Sequence, residues 1–278
     1  MAIGIRVNTI QTVFQILDNK KPTSVLLKDF QQKFYTSFLE QNKTIDFIFE
    51  KFALYDFAQK IFPDEAETSS FISELSDHQI QELYRQLESI YSDFTEEEQR
   101  EWSKIKKKEI FPLIDKMFEY FSSVAHKTPV QLHNENFNKS LEEITKSNPM
   151  LKMLAPAFAK AFLLPFRLNS SEDALITTLA ILRYKADKGQ LPENLPQLVD
   201  SGYIKELPMD SYSGKPLVYN RIDDNFTLYS FGADFDDDGG TPGEWGEGPQ
   251  GGDQVFWPVQ KMNQEETKKG SGAKAIEN

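Results

Sequence analysis

Residues 226–240 read FTLYSFGADFDDDGG, and this stretch decides the fold class of the C-terminal part of the chain. Its first four residues are aromatic, β-branched or aliphatic, a composition that favours a strand. The glycines and aspartates that follow favour a loop. Two further short β-type runs lie on either side, at residues 217–219 and 255–257. The sequence therefore predicts a small three-stranded antiparallel sheet.

The predicted loop between the second and third strands covers residues 230–254 and contains eight glycines. A loop this long inside a compact domain is usually organised by a function or a ligand. Asp234, Asp236 and Asp238 occupy alternate positions, and Gly239 permits a sharp bend after them. Carboxylates spaced in this way can turn toward one centre, and Ca²⁺ takes about six to eight oxygen ligands. The sequence predicts a structural calcium site.

The same spacing opens an EF-hand loop, but the remainder of that pattern is missing. The twelfth position is Trp245 where an EF-hand has a bidentate glutamate, and strands instead of helices are predicted on both sides. An EF-hand is therefore excluded, and a calcium loop that closes differently is expected. Mg²⁺ fits less well because it prefers few protein ligands and retains water. A solvated acidic loop without a metal is the alternative.

Negative charge is concentrated around this loop. The chain carries a formal net charge of −12, and residues 210–257 contain ten acidic and two basic side chains, a net charge of −8. From residue 222 to residue 254 there is no lysine or arginine to neutralise the aspartates locally. Such a balance argues against nucleic acid or an anionic membrane surface as the main partner.

The first two thirds of the chain read as helical, with apolar residues at helical spacing from Val7 to Leu17 and from Leu27 to Ile61. The first twenty residues lack the pattern of a signal peptide or membrane anchor. The most apolar window, residues 149–166, is interrupted by Pro156 and Pro165. It is expected to form a buried pair of helices, and no membrane span is predicted in the chain.

After this window the composition changes. Ser170 or Ser171 is expected to cap a new helix that ends at Gly189. Short β-type runs, prolines and glycines then replace the helical pattern. The expected fold class is α+β, with a mostly helical N-terminal domain before a helix and small sheet. The predicted division is a helical domain over 1–168, an α+β domain over 169–258 and a disordered tail over 259–278.

No motif marks a catalytic centre. The absence of cysteine excludes disulfides, thiolate catalysis and Cys-based zinc sites. A phosphate-binding glycine loop, a Gly-x-Ser-x-Gly elbow and a His-Glu-x-x-His helix are all missing. His78, His126 and His133 read as polar surface residues. One enzymatic alternative stays open, a metal-assisted or carboxylate-dependent hydrolase that uses the same aspartates with Trp245 or Trp257 as a sugar-stacking wall.

Four segments, taken in order, resemble the C-terminal part of the major (G-type) pseudopilin of type II secretion systems. They are residues 182–192 (LRYKADKGQLP), 207–219 (LPMDSYSGKPLVY), 226–234 (FTLYSFGAD) and 252–253 (GD). Together they cover under a third of the chain. The resemblance implies a helix packed on a small antiparallel sheet, with a calcium ion that holds the β-loop.

The same resemblance implies the ligands of that ion. Asp234 and Asp253 would bind through their side chains, and the carbonyl of Phe231 and the hydroxyl of Ser230 would complete the site. Local spacing adds two more candidates, Asp236 and Asp238.

The whole chain resembles a class of uncharacterised bacterial proteins in which a helical region, usually behind an N-terminal membrane anchor, ends in this pseudopilin-like module. The anchor would lie upstream of Met1. The expected function is that of an exported or membrane-anchored, non-enzymatic structural or interaction protein with a calcium-stabilised C-terminal module, and the resemblance implies a link to type II secretion. The expected location is periplasmic or extracytoplasmic, and the protein partner is not specified by the sequence.

Overall fold

The computed structural model describes residues 2–20, 22–34, 51–52, 54–55, 58, 107–243 and 251–259. The chain divides into two compact units: unit 1 combines residues 1–41 with 167–278, and unit 2 consists of residues 42–166. The described residues contain seven α-helices and one three-stranded antiparallel sheet, which confirms the predicted α+β class. The predicted disordered tail, residues 259–278, lies outside the described residues except for Val259.

The helices and strands follow a simple order along the chain. The helices are α1 (Ala2–Asn19), α2 (Ser24–Phe34), α3 (Lys107–Val124), α4 (Pro129–Asn134), α5 (Phe137–Thr145), α6 (Pro149–Lys188) and α7 (Pro196–Asp200). The strands are β1 (Val218–Ile222), β2 (Asn225–Ser230) and β3 (Gln254–Trp257), with a short 3₁₀ turn at Gly232–Asp234 directly after β2.

The core of unit 2 is rich in phenylalanine. Ile110, Ile114 and Phe121 recur on one face of α3, and all three are completely buried. Phe121 stacks on Phe162 of α6 with 5.3 Å between ring centroids, and Phe162 stacks on Phe137 of α5 at 5.6 Å. The aromatic residues of this part of the chain thus form an apolar core, which is the ordinary role of an aromatic stripe at helical spacing.

The core of unit 1 joins α1 and α2 to the second half of α6, α7 and the sheet. Phe14 of α1 packs on Phe256 of β3 with 6.3 Å between ring centroids, and Phe226 stacks on Trp257 at 5.4 Å. Helices α1 and α2, which the predicted division places in an N-terminal helical domain, therefore pack with the C-terminal residues. The sequence shows the apolar stripe of α1, but a stripe does not indicate which surface covers it.

Helix α6 differs from the sequence prediction of a helix pair followed by a newly capped helix. It continues from Pro149 to Lys188, with Pro156 and Pro165 inside it. Ser171, predicted as a cap, lies within the helix and its Oγ donates a hydrogen bond to the carbonyl of Arg167 at 3.1 Å. Each proline costs a helical hydrogen bond, but buried apolar residues before and after both prolines favour continuation of the helix.

Helix α6 is also the one helix among the described residues that is long and apolar enough to cross a membrane. Only 28% of its most apolar 18-residue window is buried within the protein. Length and apolar composition do not distinguish a membrane-spanning helix from the long core helix of a soluble protein. The sequence-based prediction that the chain contains no membrane span therefore stays a prediction.

The sheet has the strand order β1-β2-β3, with both pairs antiparallel. Val218 pairs with Tyr229 and Ile222 with Asn225, so a tight two-residue turn joins β1 to β2. A register shift between Leu228 and Tyr229 interrupts the pairing of β2 with β3. The central strand β2 is more buried than β1. The aspartate loop follows directly after β2.

Candidate metal centre

The aspartate loop leaves β2 at Ser230 and returns to β3 beside its own first half. The described part runs to Gly243 and resumes at residue 251. The backbone N–H of Asp253 donates to the carbonyl of Thr241 at 2.8 Å, and that of Gly243 donates to the carbonyl of Asp253 at 3.1 Å. These two bonds hold Asp253, the last aspartate of the loop, against the segment that follows Asp238.

Two glycines allow this close return. A Cβ on Gly251 would lie 1.8 Å from Oδ2 of Asp234, and a Cβ on Gly252 would lie 2.7 Å from the backbone of Gly243. Neither position can carry a side chain without a shift of its neighbour. The glycines therefore bring the carboxylate of Asp234 against the backbone that leads into Asp253.

Asp253 is the most buried carboxylate of the loop, with no exposed surface. Its Oδ2 accepts a hydrogen bond from the backbone N–H of Gly240 at 2.6 Å, whereas its Oδ1 has no hydrogen-bond partner among the described residues. Burial raises the pKa of Asp253 to about 6; backbone N–H groups of Gly240 and Asp238 oppose that rise, and the nearby carboxylates add to it. A carboxylate oxygen without a partner is costly to bury unless a cation or water satisfies it.

Asp234, Asp236 and Asp238 lie close to one another, as their spacing predicts. Loss of hydration raises the pKa of Asp238, and repulsion by Asp234 and Asp236 raises it further. The side chains of Asp234 and Asp238 are also within hydrogen-bond distance of each other. Oδ1 of Asp234 accepts a long bond of 3.4 Å from the backbone N–H of Asp236. Like charges held this close favour a proton or a bound cation between them.

Two predicted ligands, Ser230 and Phe231, lie where β2 ends and the 3₁₀ turn begins. Ser230 is completely buried, and its hydroxyl donates to Oδ1 of Asp210 at 2.7 Å and accepts from the backbone N–H of Gly232 at 3.2 Å. Phe231 is half-buried and directly precedes the 3₁₀ turn. The hydroxyl of Ser230 is thus oriented toward Asp210, and the carbonyl of Phe231 stays a predicted ligand.

Sequence reasoning missed two residues near this site, Asp210 and Asp237. Asp210 is 3% exposed and accepts hydrogen bonds from the backbone N–H groups of Tyr212 and Ser213, as well as from Ser230. An aspartate at the start of a Ser- and Gly-containing turn is a recognisable signal for such a bond. Asp237 accepts from the hydroxyl of Tyr229 at 3.0 Å, a contact for which the sequence offers no signal.

The loop presents hard oxygen donors, the type that Ca²⁺ prefers. Within the described ranges, however, no group of three or more His, Cys, Asp or Glu side chains is placed to hold a metal ion. The carboxylates of Asp234, Asp238 and Asp253 would therefore need backbone carbonyls, water or a small rearrangement to complete a coordination shell. The unpartnered Oδ1 of Asp253 is the feature that best fits a bound cation.

Comparison with known proteins adds no assignment: no protein-family profile, curated protein or solved structure matches the chain.

Proposed function

We propose that the chain is a non-enzymatic structural or interaction protein whose C-terminal module is stabilised by Ca²⁺ bound in the aspartate loop. The observation that supports this most strongly is Asp253, a fully buried carboxylate with one unpartnered oxygen beside two further carboxylates. With a pKa of about 6 this group is ionised at neutral pH, and none of the described residues forms an ion pair with it. A divalent cation would supply that charge and the missing partner together.

The ligands proposed are Asp234, Asp238 and Asp253. Asp234 and Asp238 lie within hydrogen-bond distance of each other, and the charge of Asp238 also acts on Asp253. Asp236 belongs to the same cluster, although its Oδ1 accepts the backbone N–H of Asp237 at 2.9 Å. A cation at this point would tie the loop to the start of β3.

An exported or membrane-anchored location accompanies this proposal. A loop with few convergent side chains would bind calcium weakly, and sites of this kind are filled where calcium is near the millimolar range. That condition holds outside the cytoplasm. The resemblance of the module to the major pseudopilin of type II secretion systems points in the same direction, and a link to that machinery is part of the proposal.

The hydrolase alternative finds less support in the geometry. A catalytic carboxylate must reach its substrate, whereas Asp253, the acid with the largest rise in pKa in the loop, has no exposed surface. Its buried position suits a structural role better. Of the two candidates for a sugar-stacking wall, Trp257 is 4% exposed and stacks on Phe226, and Trp245 lies outside the described residues.

Thermal melts in excess EDTA, in millimolar Ca²⁺ and in millimolar Mg²⁺ test the proposal. An ion bound only by the folded state at about 100 times its Kd adds about 2.7 kcal/mol, enough to raise the Tm by several degrees. The rise should be specific to Ca²⁺ and should disappear in Asp253→Asn. The matched control is Asp200→Asn, which changes an exposed aspartate of the same unit far from the loop in sequence.

Two results would contradict the proposal. One is an equal Tm in EDTA and in Ca²⁺. The other is a calcium-dependent rise that persists unchanged in Asp253→Asn, since the ion would then bind elsewhere.

A further inference from the structure

A positively lined recess lies in unit 1, away from the aspartate loop in sequence. It has a volume of about 430 Å³, and α2, the end of α6 and the segment after α7 contribute its lining. The residues that matter for the argument are Lys28 and Gln31 of α2, Arg183 of α6, and Tyr203 and Lys205. This volume falls within the range of small-ligand sites, which is about 300–1,000 Å³.

The charge of the recess is opposite to that of the whole chain. Lys28, Arg183 and Lys205 line it, although the chain has a net charge of −12. Neither Lys28 nor Lys205 forms an ion pair with any described residue. Asp187, one helical turn after Arg183, interacts with its charge and offsets part of it. Two lysines therefore remain to attract an anion.

Arg183 is held at the recess by one edge of its guanidinium group. Nη1 donates to Oε1 of Gln31 at 2.5 Å and to the carbonyl of Tyr203 at 3.3 Å. The guanidinium also lies over the ring of Tyr203, 5.2 Å from its centroid. Gln31 is 3% exposed and completes the arrangement by donating to the same carbonyl at 3.4 Å. The side chain is therefore held at the recess through Nη1 before any ligand arrives.

The other edge of Arg183 has no hydrogen-bond partner among the described residues. Its Nε is buried without a hydrogen bond to any described residue, and Nη2 makes none either. These two N–H groups form the side-on edge of the guanidinium, whose parallel geometry matches the two oxygens of a carboxylate. A buried donor without an acceptor is unfavourable, and a small rotation of the guanidinium toward a ligand would relieve this.

We propose that this recess binds a carboxylate, which pairs with the Nε and Nη2 edge of Arg183 and is attracted by Lys28 and Lys205. A monovalent carboxylate fits better than a phosphate dianion, because Asp187 already offsets part of the charge of Arg183. The carboxylate could come from a small organic acid or from the C-terminus of a peptide. This proposal does not depend on calcium binding in the loop.

The test follows the Nε–H signal of Arg183 by ¹⁵N NMR in the full chain at constant ionic strength. The signal is assigned by its loss in Arg183→Lys. Four probes are titrated: butyrate, an acetylated pentapeptide with a free C-terminal carboxylate, the same peptide as its C-terminal amide, and inorganic phosphate. We expect butyrate or the free-carboxylate peptide to shift the signal to saturation, and the peptide amide to leave it unchanged.

Lys28 and Lys205 are exposed, so replacing either one should leave the fold unchanged. Lys28→Ala and Lys205→Ala should each weaken binding by roughly three- to tenfold, the scale of losing one charge contact near a protein surface. Lys215→Ala changes an exposed lysine of the same unit outside the recess and should leave binding unaltered.

The outcomes distinguish the source of the carboxylate. A shift by butyrate alone identifies a free organic acid as the source, and tighter binding of the free-carboxylate peptide identifies a peptide C-terminus. The proposal is overturned if neither probe moves the Arg183 signal, if phosphate or the peptide amide binds as well as the carboxylates do, or if both lysine variants bind as the unchanged chain does.

Discussion

Asp210 and Asp253 are two buried aspartates of unit 1, with 3% and no exposure, and they differ in how their burial is compensated. Asp210 accepts hydrogen bonds from Ser230, Tyr212 and Ser213, so both of its oxygens have donors. Asp253 accepts a hydrogen bond from the backbone N–H of Gly240 at Oδ2, and Oδ1 is left without a partner among the described residues. Burial alone therefore does not define a role: a satisfied carboxylate fixes a turn, and an unsatisfied one attracts a cation.

The largest expected effect comes from removing the satisfied carboxylate. Asp210→Ala should lower the free energy of unfolding of unit 1 by about 3–5 kcal/mol, because three donors lose their acceptor inside the protein. Ser230→Ala removes one of those bonds and should cost about 1–2 kcal/mol. Urea unfolding followed by circular dichroism measures both. Equal losses in the two variants would show that Asp210 does not organise the turn.

The ionised carboxylate of Asp253 should lower the free energy of unfolding, whereas that of Asp210 raises it. Its folded-state pKa of about 6 lies above the ordinary value of 3.8, so the folded state binds more protons than the unfolded state. Without calcium, this group's contribution to stability is fully present below about pH 4 and is lost as pH rises through about 6. The full loss is at most about 3 kcal/mol.

Asp253→Asn removes this dependence on pH. In EDTA at pH 8 the variant should be more stable than the unchanged chain by up to about 2 kcal/mol, because a buried charge is replaced by a neutral amide. Urea unfolding between pH 4 and pH 8 is the measurement, with Asp200→Asn as the control that keeps the original slope. A destabilised Asp253→Asn in EDTA would mean that the carboxylate is already compensated.

A smaller effect is expected from the glycine that lets the loop close. Gly251→Ala places a Cβ 1.8 Å from Oδ2 of Asp234, and the resulting displacement should cost about 1–3 kcal/mol and weaken calcium binding. Gly239→Ala is the comparison: its Cβ would meet no atom within 4 Å, but φ is +66°. That strain costs about 1 kcal/mol. In calcium titrations, Gly251→Ala should bind the ion more weakly than Gly239→Ala does. Equal affinities would show that calcium binding does not depend on closure of the loop at Gly251.

The smallest effect concerns Asp115 of unit 2, a half-exposed aspartate. Its Oδ1 contacts Nζ of Lys51 at 2.5 Å and accepts from the hydroxyl of Tyr55 at 2.5 Å. The bond from Lys51 and then the bond from Tyr55 lower the pKa of Asp115 below 3.8. Its contribution is therefore present above about pH 4 and is lost as pH falls through the lowered pKa.

Because solvent screens this pair, Tyr55→Phe should change the free energy of unfolding by less than about 1 kcal/mol. Urea unfolding at pH 7 and at pH 3 measures the change, and the difference between the variant and the unchanged chain should shrink at pH 3. If Tyr55→Phe lowered the free energy of unfolding at pH 7 as much as Asp210→Ala does, burial of the carboxylate would not explain the size of the effect.

The features that the sequence predicts well are contiguous ones. The run from Phe226 to Tyr229 forms β2, and residues 255–257 lie in β3. The aspartates at alternate positions lie close together as well, because neighbours in a short glycine-rich loop have little room to separate. Local chemistry was enough for these predictions.

The features that the sequence does not reveal depend on distant residues. The recess combines Lys28, Arg183 and Lys205, and no local pattern indicates that they meet. The sequence also does not predict the packing of α1 against β3, because an apolar stripe can pack against many surfaces. The continuity of α6 was missed because the two prolines favour breaks locally, whereas burial of apolar residues on both sides of them favours the helix.

The division of the chain has a consequence for its synthesis on the ribosome. Unit 1 is discontinuous, since residues 42–166 separate its first 41 residues from the remainder. Helices α1 and α2 therefore emerge long before α6 and the sheet that cover their apolar faces. Unit 2, which is continuous, can condense during that interval, whereas closure of unit 1 must wait until β3 has been synthesised. A chain stalled before β3 would leave Phe14 uncovered and open to chaperones.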